Sequence, residues 1–398
     1  MALTLSKKSE QVKPSSTLAI TAKAKEMRAN GIDVVGFGAG EPDFNTPQNI
    51  CDAAIKAIND GFTKYTPASG TNELKNAICK KFKEFNNIEY APNQIVISNG
   101  GKHSLTNIFD AILNPGDEVI IPAPYWLSYP EMVKLTDGVP VFIVGGKEQG
   151  YKVTAKQIED AVTDKTKALV LNSPSNPTGM IYSREELEAI AEVAVRKDFY
   201  VVADEMYEYL IYGEEKHVSI ASLNPEIYKR TITCSGLSKS YAMTGWRVGY
   251  CGASVEITKR MSAMQSHATS NPNSIAQKAA YEALMGPQEE IEKMRKEFNN
   301  RREYMVKRVQ AMPLVECKEP KGAFYVFIDV SKVLEKTYQG ALIETAAKLA
   351  EILLDEFSVA VVPCADFGFA DHIRLSYAIS IEQIEKGLDR IENFLKQL

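Results

Sequence analysis

An α/β fold built around a parallel sheet is what this sequence predicts, and three features predict it. Short apolar runs rich in β-branched residues recur between residues 94 and 234, segments of helical period lie between several of them, and the chain is long enough to carry a second unit behind that body. The runs at 94–98 (QIVIS), 118–121 (EVII), 139–144 (VPVFIV), 168–171 (ALVL), 199–203 (FYVVA) and 231–234 (TITC) read as buried strands. Helices are expected between them, notably at 102–113 and 183–197.

After about residue 285 the texture changes. A long charged helical stretch at 288–311 precedes strand-like runs at 323–328, 359–362 and 372–376, and a final helix is expected at 381–398. This reads as a smaller α+β domain. The first dozen residues read as a mobile or partner-contacting arm, and neither an internal repeat nor a low-complexity tract interrupts the chain.

Composition narrows the function classes. The 398 residues are 45% hydrophobic and 24% charged, ordinary for a soluble globular protein, with a formal net charge of −5. No block of Lys and Arg would track a phosphate backbone, so no nucleic-acid partner is expected. No apolar run reaches the roughly 20 residues that span a bilayer, and residues 1–16 are polar and lysine-bearing without the apolar centre of a secretion signal. A cytoplasmic protein without a membrane partner is the expectation. The six cysteines, Cys51, Cys79, Cys234, Cys251, Cys317 and Cys364, include no CxxC pair, so they are expected to remain thiols with no metal site.

The stretch from Ser235 to Tyr250, SGLSKSYAMTGWRVGY, carries the most chemistry. It sets Lys239 among small and hydroxyl residues with Arg247 eight positions on. A lysine attacks a carbonyl only when neutral, which takes desolvation or nearby positive charge. Small neighbours such as Gly236 let a flat ring approach, and Ser238 with the planar fork of Arg247 suits a phosphate. These residues read as a lysine that holds a cofactor aldehyde.

The run SGLSK…AMTGWRVGY resembles the pyridoxal-phosphate lysine segment of class I aminotransferases, and separated motifs along nearly the whole chain agree. The resemblance implies the fold type I architecture: an α/β large domain with a mostly parallel seven-stranded sheet at 46–285 and a smaller α+β domain at 286–398, with 1–45 supplying the arm and part of the smaller domain. It implies pyridoxal 5′-phosphate as cofactor and a homodimer with shared active sites.

The other site residues follow from that cofactor. Its ring nitrogen needs a buried carboxylate, and Asp204 ends the run at 199–203, where open α/β sheets place ligands. Tyr207, three residues on, can donate its phenol to the cofactor 3′-oxygen. The loop NSPSNPTG at 172–179 is dense in turn formers and by itself only a loop; the resemblance makes Asn176 a second contact to the 3′-oxygen. Asn99-Gly100-Gly101-Lys102 ends a strand and opens a helix, a turn whose backbone amides suit the cofactor phosphate. Two better-known glycine motifs fail: Glu41 stands where a dinucleotide fingerprint needs its third glycine, and the residues around Gly101-Lys102 break the nucleotide P-loop.

Resemblance also assigns Trp126 to the pyridine face, Tyr65 to the phosphate of the neighbouring subunit, and Arg374 in IRLSY to the substrate α-carboxylate, with Asn176 and Trp126 beside it and Gly40 bringing main chain over the same group. The segment QSHATSNP at 265–272 lacks the second arginine that some aspartate aminotransferases use for the distal carboxylate. The chain instead resembles the bacterial subgroup marked by Pro-Ser-x-Thr, here residues 14–17, and by Gly-Gly-Lys. There Lys102, with Ser15 and Thr17, would take the distal carboxylate, and Lys13 matches a residue tied to prephenate use. Transfer between L-aspartate and 2-oxoglutarate is the expected reaction, with prephenate as an additional substrate. An aminotransferase for aromatic or neutral amino acids and a carbon–sulfur β-lyase on the same fold are the alternatives; a nicotinamide dehydrogenase would need the glycine fingerprint that fails at Glu41.

Overall fold

The computed structural model describes residues 4–12 and 16–398; Lys13, Pro14 and Ser15 lie outside the described residues. A short strand, β1 (Val35–Gly36), precedes a seven-stranded sheet of β2 (Ile95–Ser98), β3 (Glu118–Ala123), β4 (Val139–Val144), β5 (Thr166–Asn172), β6 (Tyr200–Asp204), β7 (Thr231–Gly236) and β8 (Gly249–Gly252). Their spatial order is β2-β8-β7-β6-β5-β3-β4. β3, β4, β5, β6 and β7 pair in parallel, whereas β8 runs antiparallel to both β7 and β2. Six strands therefore point one way, and their carboxyl ends share one edge. The α/β fold with a mostly parallel sheet agrees with the sequence expectation.

Alternation along the strands explains the unbroken apolar runs. Val119 and Ile121 of β3, Val170 of β5, Val202 of β6 and Ile232 of β7 meet Leu105, Ile108 and Phe109 on one face. Ile120, Leu169, Leu171, Val201 and Ala203 meet Leu187, Ile190 and Ala194 on the other. Each Val, Leu, Ile and Phe among them contributes about 1.5–3 kcal/mol by leaving water. Ser183 caps the helix Arg184–Lys197, accepting from Glu186 N at 3.3 Å while its own N–H donates to Glu186 Oε2 at 2.7 Å. Such a reciprocal cap is worth about 1 kcal/mol.

Downstream, the helix Glu289–Gln310 leads into an antiparallel sheet of Val362–Pro363, His372–Ser376, Tyr325–Asp329 and Glu316–Cys317. The expected strand at 359–362 is split: Val359–Ala360 leaves this sheet to pair in parallel with β1, which ties the N-terminal segment to the C-terminal part. The expected strand at 323–328 begins at Tyr325 because Ala323 has a φ of 59° and cannot extend it. In the N-terminal arm Lys7–Glu10 forms an exposed helical turn, and Lys8 ion-pairs with Asp137 of the same chain at 2.8 Å. Among the described residues no helix is long and apolar enough to cross a membrane.

Candidate active site

A cleft of about 470 Å³ opens at the carboxyl edge of the main sheet, and the predicted residues converge there. Lys239, Ser238, Asp204, Tyr207, Asn176, Trp126, Gly101, Lys102, Arg247, Arg374, Gly40 and Thr17 all line it. A larger hollow of about 630 Å³, walled by Phe85, Tyr209 and Tyr241, lies away from this chemistry.

Lys239 follows β7, three residues past its last position. Its Nζ donates to the Gly40 carbonyl at 2.5 Å. Burial lowers its pKa to about 8 against the ordinary 10.5; Glu41 opposes that shift, while Arg247 and Arg374 add to it. The amine is therefore substantially neutral in mildly alkaline water, the state that attacks a carbonyl.

Asp204 ends β6 and is 5% exposed. Its Oδ2 accepts from the Tyr129 hydroxyl at 2.6 Å and its Oδ1 from Met206 N at 3.1 Å. Burial pushes its carboxyl above the usual range, against the pull of Tyr129. Asn172, at the end of the neighbouring β5, donates Nδ2 to the Asp204 carbonyl at 3.0 Å and accepts Asn176 N at 2.8 Å on Oδ1, so one amide shapes two site loops.

Asn176 Oδ1 accepts from Arg374 Nη1 at 2.8 Å, which leaves the Nδ2 protons uncommitted. Arg374 is 2% exposed, its Cζ lies 4.2 Å from the Tyr325 ring centroid, and its Nε has no hydrogen-bond partner. It forms no ion pair among the described residues. A buried guanidinium in that condition calls for an anion.

The phosphate side is built by close backbone approach. Gly100 has a φ of 89°, and a Cβ there would sit 2.3 Å from Arg247 Nη2. Across the turn, a Cβ on Gly249 would meet Gly101 N at 2.3 Å, so both glycines are needed for β2 and β8 to deliver this cradle. Arg247 itself has a φ of 56°, held by Nη1 donating to the Thr244 carbonyl at 2.8 Å. The helix Gly101–Ile112 has no side-chain cap, so its first amides stay available. Lys102 Nζ donates to Ser128 Oγ at 3.1 Å and lies 4.9 Å from the Trp126 ring centroid; burial, with Arg247 adding, lowers its pKa.

Among the described residues Tyr65 stands apart from the others. Tyr65 is 89% exposed and lies outside the cleft of its own chain. Lys13 and Ser15 fall outside the described residues, whereas Thr17 lines the cleft with a buried Oγ1 that has no partner among the described residues. The segment lacking the second arginine serves the fold instead, because Gln265 Nε2 donates to the Ile97 and Ala68 carbonyls and its Oε1 accepts from Ser98 and Asn107. Sequence reasoning missed Tyr129, Ser128 and Tyr325. Tyr129 had one available signal, its position three residues after Trp126.

The family model described as aminotransferase class I and II matches residues 32–391. The chain belongs to the class I and II aminotransferase family. It is 52% identical to an aspartate aminotransferase of Bacillus sp. (strain YM-2), covering 96% of this chain and 97% of that one. It is 49% identical to an aspartate/prephenate aminotransferase of Cereibacter sphaeroides, covering 96% of each. The solved structure of the Thermus thermophilus aspartate aminotransferase with maleate superposes with a TM-score of 0.93 at 42% identity, covering 98% of this chain and 100% of that one.

As an aminotransferase of this family the chain is an enzyme dependent on pyridoxal 5′-phosphate, and its residues fit that group. Asp204 is a buried carboxylate that forms no ion pair among the described residues, as a protonated ring nitrogen requires. Lys239 is a desolvated amine, and Gly100, Gly101, Ser238 and Arg247 form a donor-rich turn around space that a Cβ would close.

Proposed function

We propose that this aminotransferase moves the amino group of L-aspartate to 2-oxoglutarate, giving oxaloacetate and L-glutamate in two half-reactions. The observation that carries the substrate is the pair of cations facing one cleft without acidic partners among the described residues: Arg374, with its unpartnered Nε, and Lys102. A dicarboxylic amino acid offers one carboxylate to each. The relatives named as aspartate aminotransferases support the same choice.

When bound, pyridoxal phosphate supplies an electron sink for the substrate Cα. This chain's residues do the rest. Arg374, steadied by Asn176, holds the α-carboxylate and so fixes which Cα bond faces Lys239. Lys239 Nζ, neutral near its lowered pKa, takes the proton from Cα as general base and returns it as general acid. Asp204, held in place by Tyr129, would face the ring nitrogen with its charge, and Tyr207 with Asn176 would donate to the ring oxygen. Trp126 lines the cleft where it would wall one side of the ring, and Lys102 with Thr17 would meet the distal carboxylate.

The exposed Tyr65 and the exposed Ile55 and Ile58 on the helix Gln48–Asn59 support a homodimer in which Tyr65 reaches its partner's phosphate site. The pairing of β1 with Val359–Ala360 supports residues 46–285 as the larger unit and 286–398, with part of 1–45, as the smaller. Prephenate is the second substrate we propose, favoured by the aspartate/prephenate relative.

Aspartate alone should yield one oxaloacetate per active site from purified enzyme, and 2-oxoglutarate added afterwards should yield glutamate. No oxaloacetate, with product from another amino acid, would remove aspartate as the substrate. Prephenate activity is checked by arogenate formation from prephenate and aspartate.

A further inference from the structure

Tyr325 stands between the two halves of the cleft. It lies on the strand Tyr325–Asp329, which pairs antiparallel with His372–Ser376 so that Phe327 opposes Arg374 and Ser376 opposes Tyr325. Opposed residues share a sheet face, and residues two apart along a strand do too, so Tyr325 and Arg374 are diagonal neighbours on one face. Tyr325 is 1% exposed, and its hydroxyl lies 2.9 Å from the Tyr207 hydroxyl. Its ring centroid is 4.2 Å from Arg374 Cζ. One side chain therefore touches both the phenol directed at the cofactor and the guanidinium directed at the substrate.

We propose that Tyr325 is a positioning residue with two separable parts: a hydroxyl that donates to Tyr207 and a ring that holds the Arg374 guanidinium in plane with Asn176. The proposal rests on the reading of Tyr207 and Arg374 given above. Each phenol has one proton. If Tyr207 is to spend its own on the ring oxygen, it must accept one from Tyr325. The guanidinium beside Tyr325 favours that direction, because a neighbouring cation makes a phenol the stronger donor. Burial raises the pKa of both phenols and Arg374 opposes the rise at both; at Tyr325 it is the largest opposing influence, whereas Tyr207 stands well above its ordinary value with Tyr325 adding to the rise ahead of any effect of Arg374. Accepting a hydrogen bond also polarises the Tyr207 O–H, making it a better donor to an anionic oxygen.

The ring acts differently. A guanidinium against an aromatic face gains cation–π attraction and loses freedom to rotate, which keeps its fork presented to a carboxylate. Phe367 faces the same guanidinium at 5.3 Å, so the fork is also held by a ring that Tyr325 does not supply.

The experiment is a pH titration of the visible absorption band of enzyme reconstituted with pyridoxal phosphate, for wild type, Tyr207→Phe, Tyr325→Phe and the double variant. Maleate affinity is measured in wild type, Tyr325→Phe and Tyr325→Leu. A stronger donor to the ring oxygen stabilises the deprotonated form, so Tyr325→Phe should move the band's midpoint upward by about 0.5 pH unit. In the Tyr207→Phe background the same substitution should move it no further. Maleate binding should stay within about twofold for Tyr325→Phe and weaken about tenfold for Tyr325→Leu.

A Tyr207→Phe midpoint equal to wild type would remove the reading of Tyr207 itself. A normal Tyr207→Phe shift with none in Tyr325→Phe, or a Tyr325→Phe shift that persists without Tyr207, would overturn the hydroxyl role. Equal maleate affinity for the Phe and Leu variants would overturn the ring role. Variants failing to bind cofactor are replaced by Tyr325→Trp, which keeps a ring and lacks the hydroxyl; its midpoint must also rise for the proposal to stand.

Discussion

The Tyr129 hydroxyl donates a 2.6 Å hydrogen bond to Asp204 Oδ2, and both groups are buried at the carboxyl edge of the sheet. Burial raises the Asp204 pKa and Tyr129 opposes that rise, so the tyrosine helps keep the carboxylate charged. Tyr129→Phe should lower kcat about tenfold and move the acid limb of the kcat/KM profile to higher pH. Asp204→Asn should cost about 100-fold or more, because no pH restores the charge. Steady-state pH profiles of both variants check this; an unmoved limb in Tyr129→Phe would remove the role given to that hydroxyl.

Lys239 should control how fast the apoenzyme takes up its cofactor. With a pKa of about 8 against the ordinary 10.5, the reactive neutral form accumulates between those values only in the folded protein. The rate of band appearance should climb with a midpoint near 8. Stability follows with a definite sign: between about 8 and 10.5 the unfolded chain binds the extra proton, so apoenzyme stability attributable to this residue should rise with pH across that window. Lys239→Met should abolish both dependences, read by stopped-flow absorbance and by urea melts.

The parts of the site legible in the sequence are those whose chemistry sits at a strand end. Asp204, Asn176 and Lys239 each follow a run whose β-branched composition locates it. β8 was not legible, because Gly249-Tyr250-Cys251-Gly252 is glycine-rich and gains its strand only from pairing with β2 and β7. Tyr325 gave no local signal, and Tyr129 only its spacing from Trp126. Their roles are contacts across 118 and 75 residues, which local pattern does not encode. The ion pair of Lys8 with Asp137 in the N-terminal arm is likewise a tertiary event, and a weak one at the surface.

The two cleft cations should separate by substrate. Arg374→Met removes the group facing the α-carboxylate that every amino acid carries, so kcat/KM should fall about 30-fold or more for aspartate and alanine alike. Lys102→Met removes only the distal contact. Its loss should be of similar size for aspartate and small for alanine, so the aspartate preference collapses. A Lys102→Met enzyme that keeps its preference would move the distal site to Thr17 and the segment before it.

Behind the site, Lys81 and Glu208 form an ion pair with side chains 4% and 1% exposed. Glu208 follows Tyr207 and also accepts from Ser235 of β7 at 2.5 Å and from Asn86 at 2.7 Å, so it braces both strand ends that carry cofactor contacts. Burial alone would raise its pKa, but Lys81 and His217 more than offset that, and the net shift is downward. Lys81→Met leaves a buried carboxylate without its cation and should destabilise the fold by about 3–5 kcal/mol. Lys81→Met with Glu208→Gln should recover much of that loss. The sign with pH also follows: a depressed carboxyl pKa stabilises the fold above the ordinary value of 4.5 and loses that contribution as pH falls through its folded value. Urea melts between neutral and acid pH should show a shallower acid loss in the double variant than in wild type; identical slopes would mean that this pair does not set the acid limit.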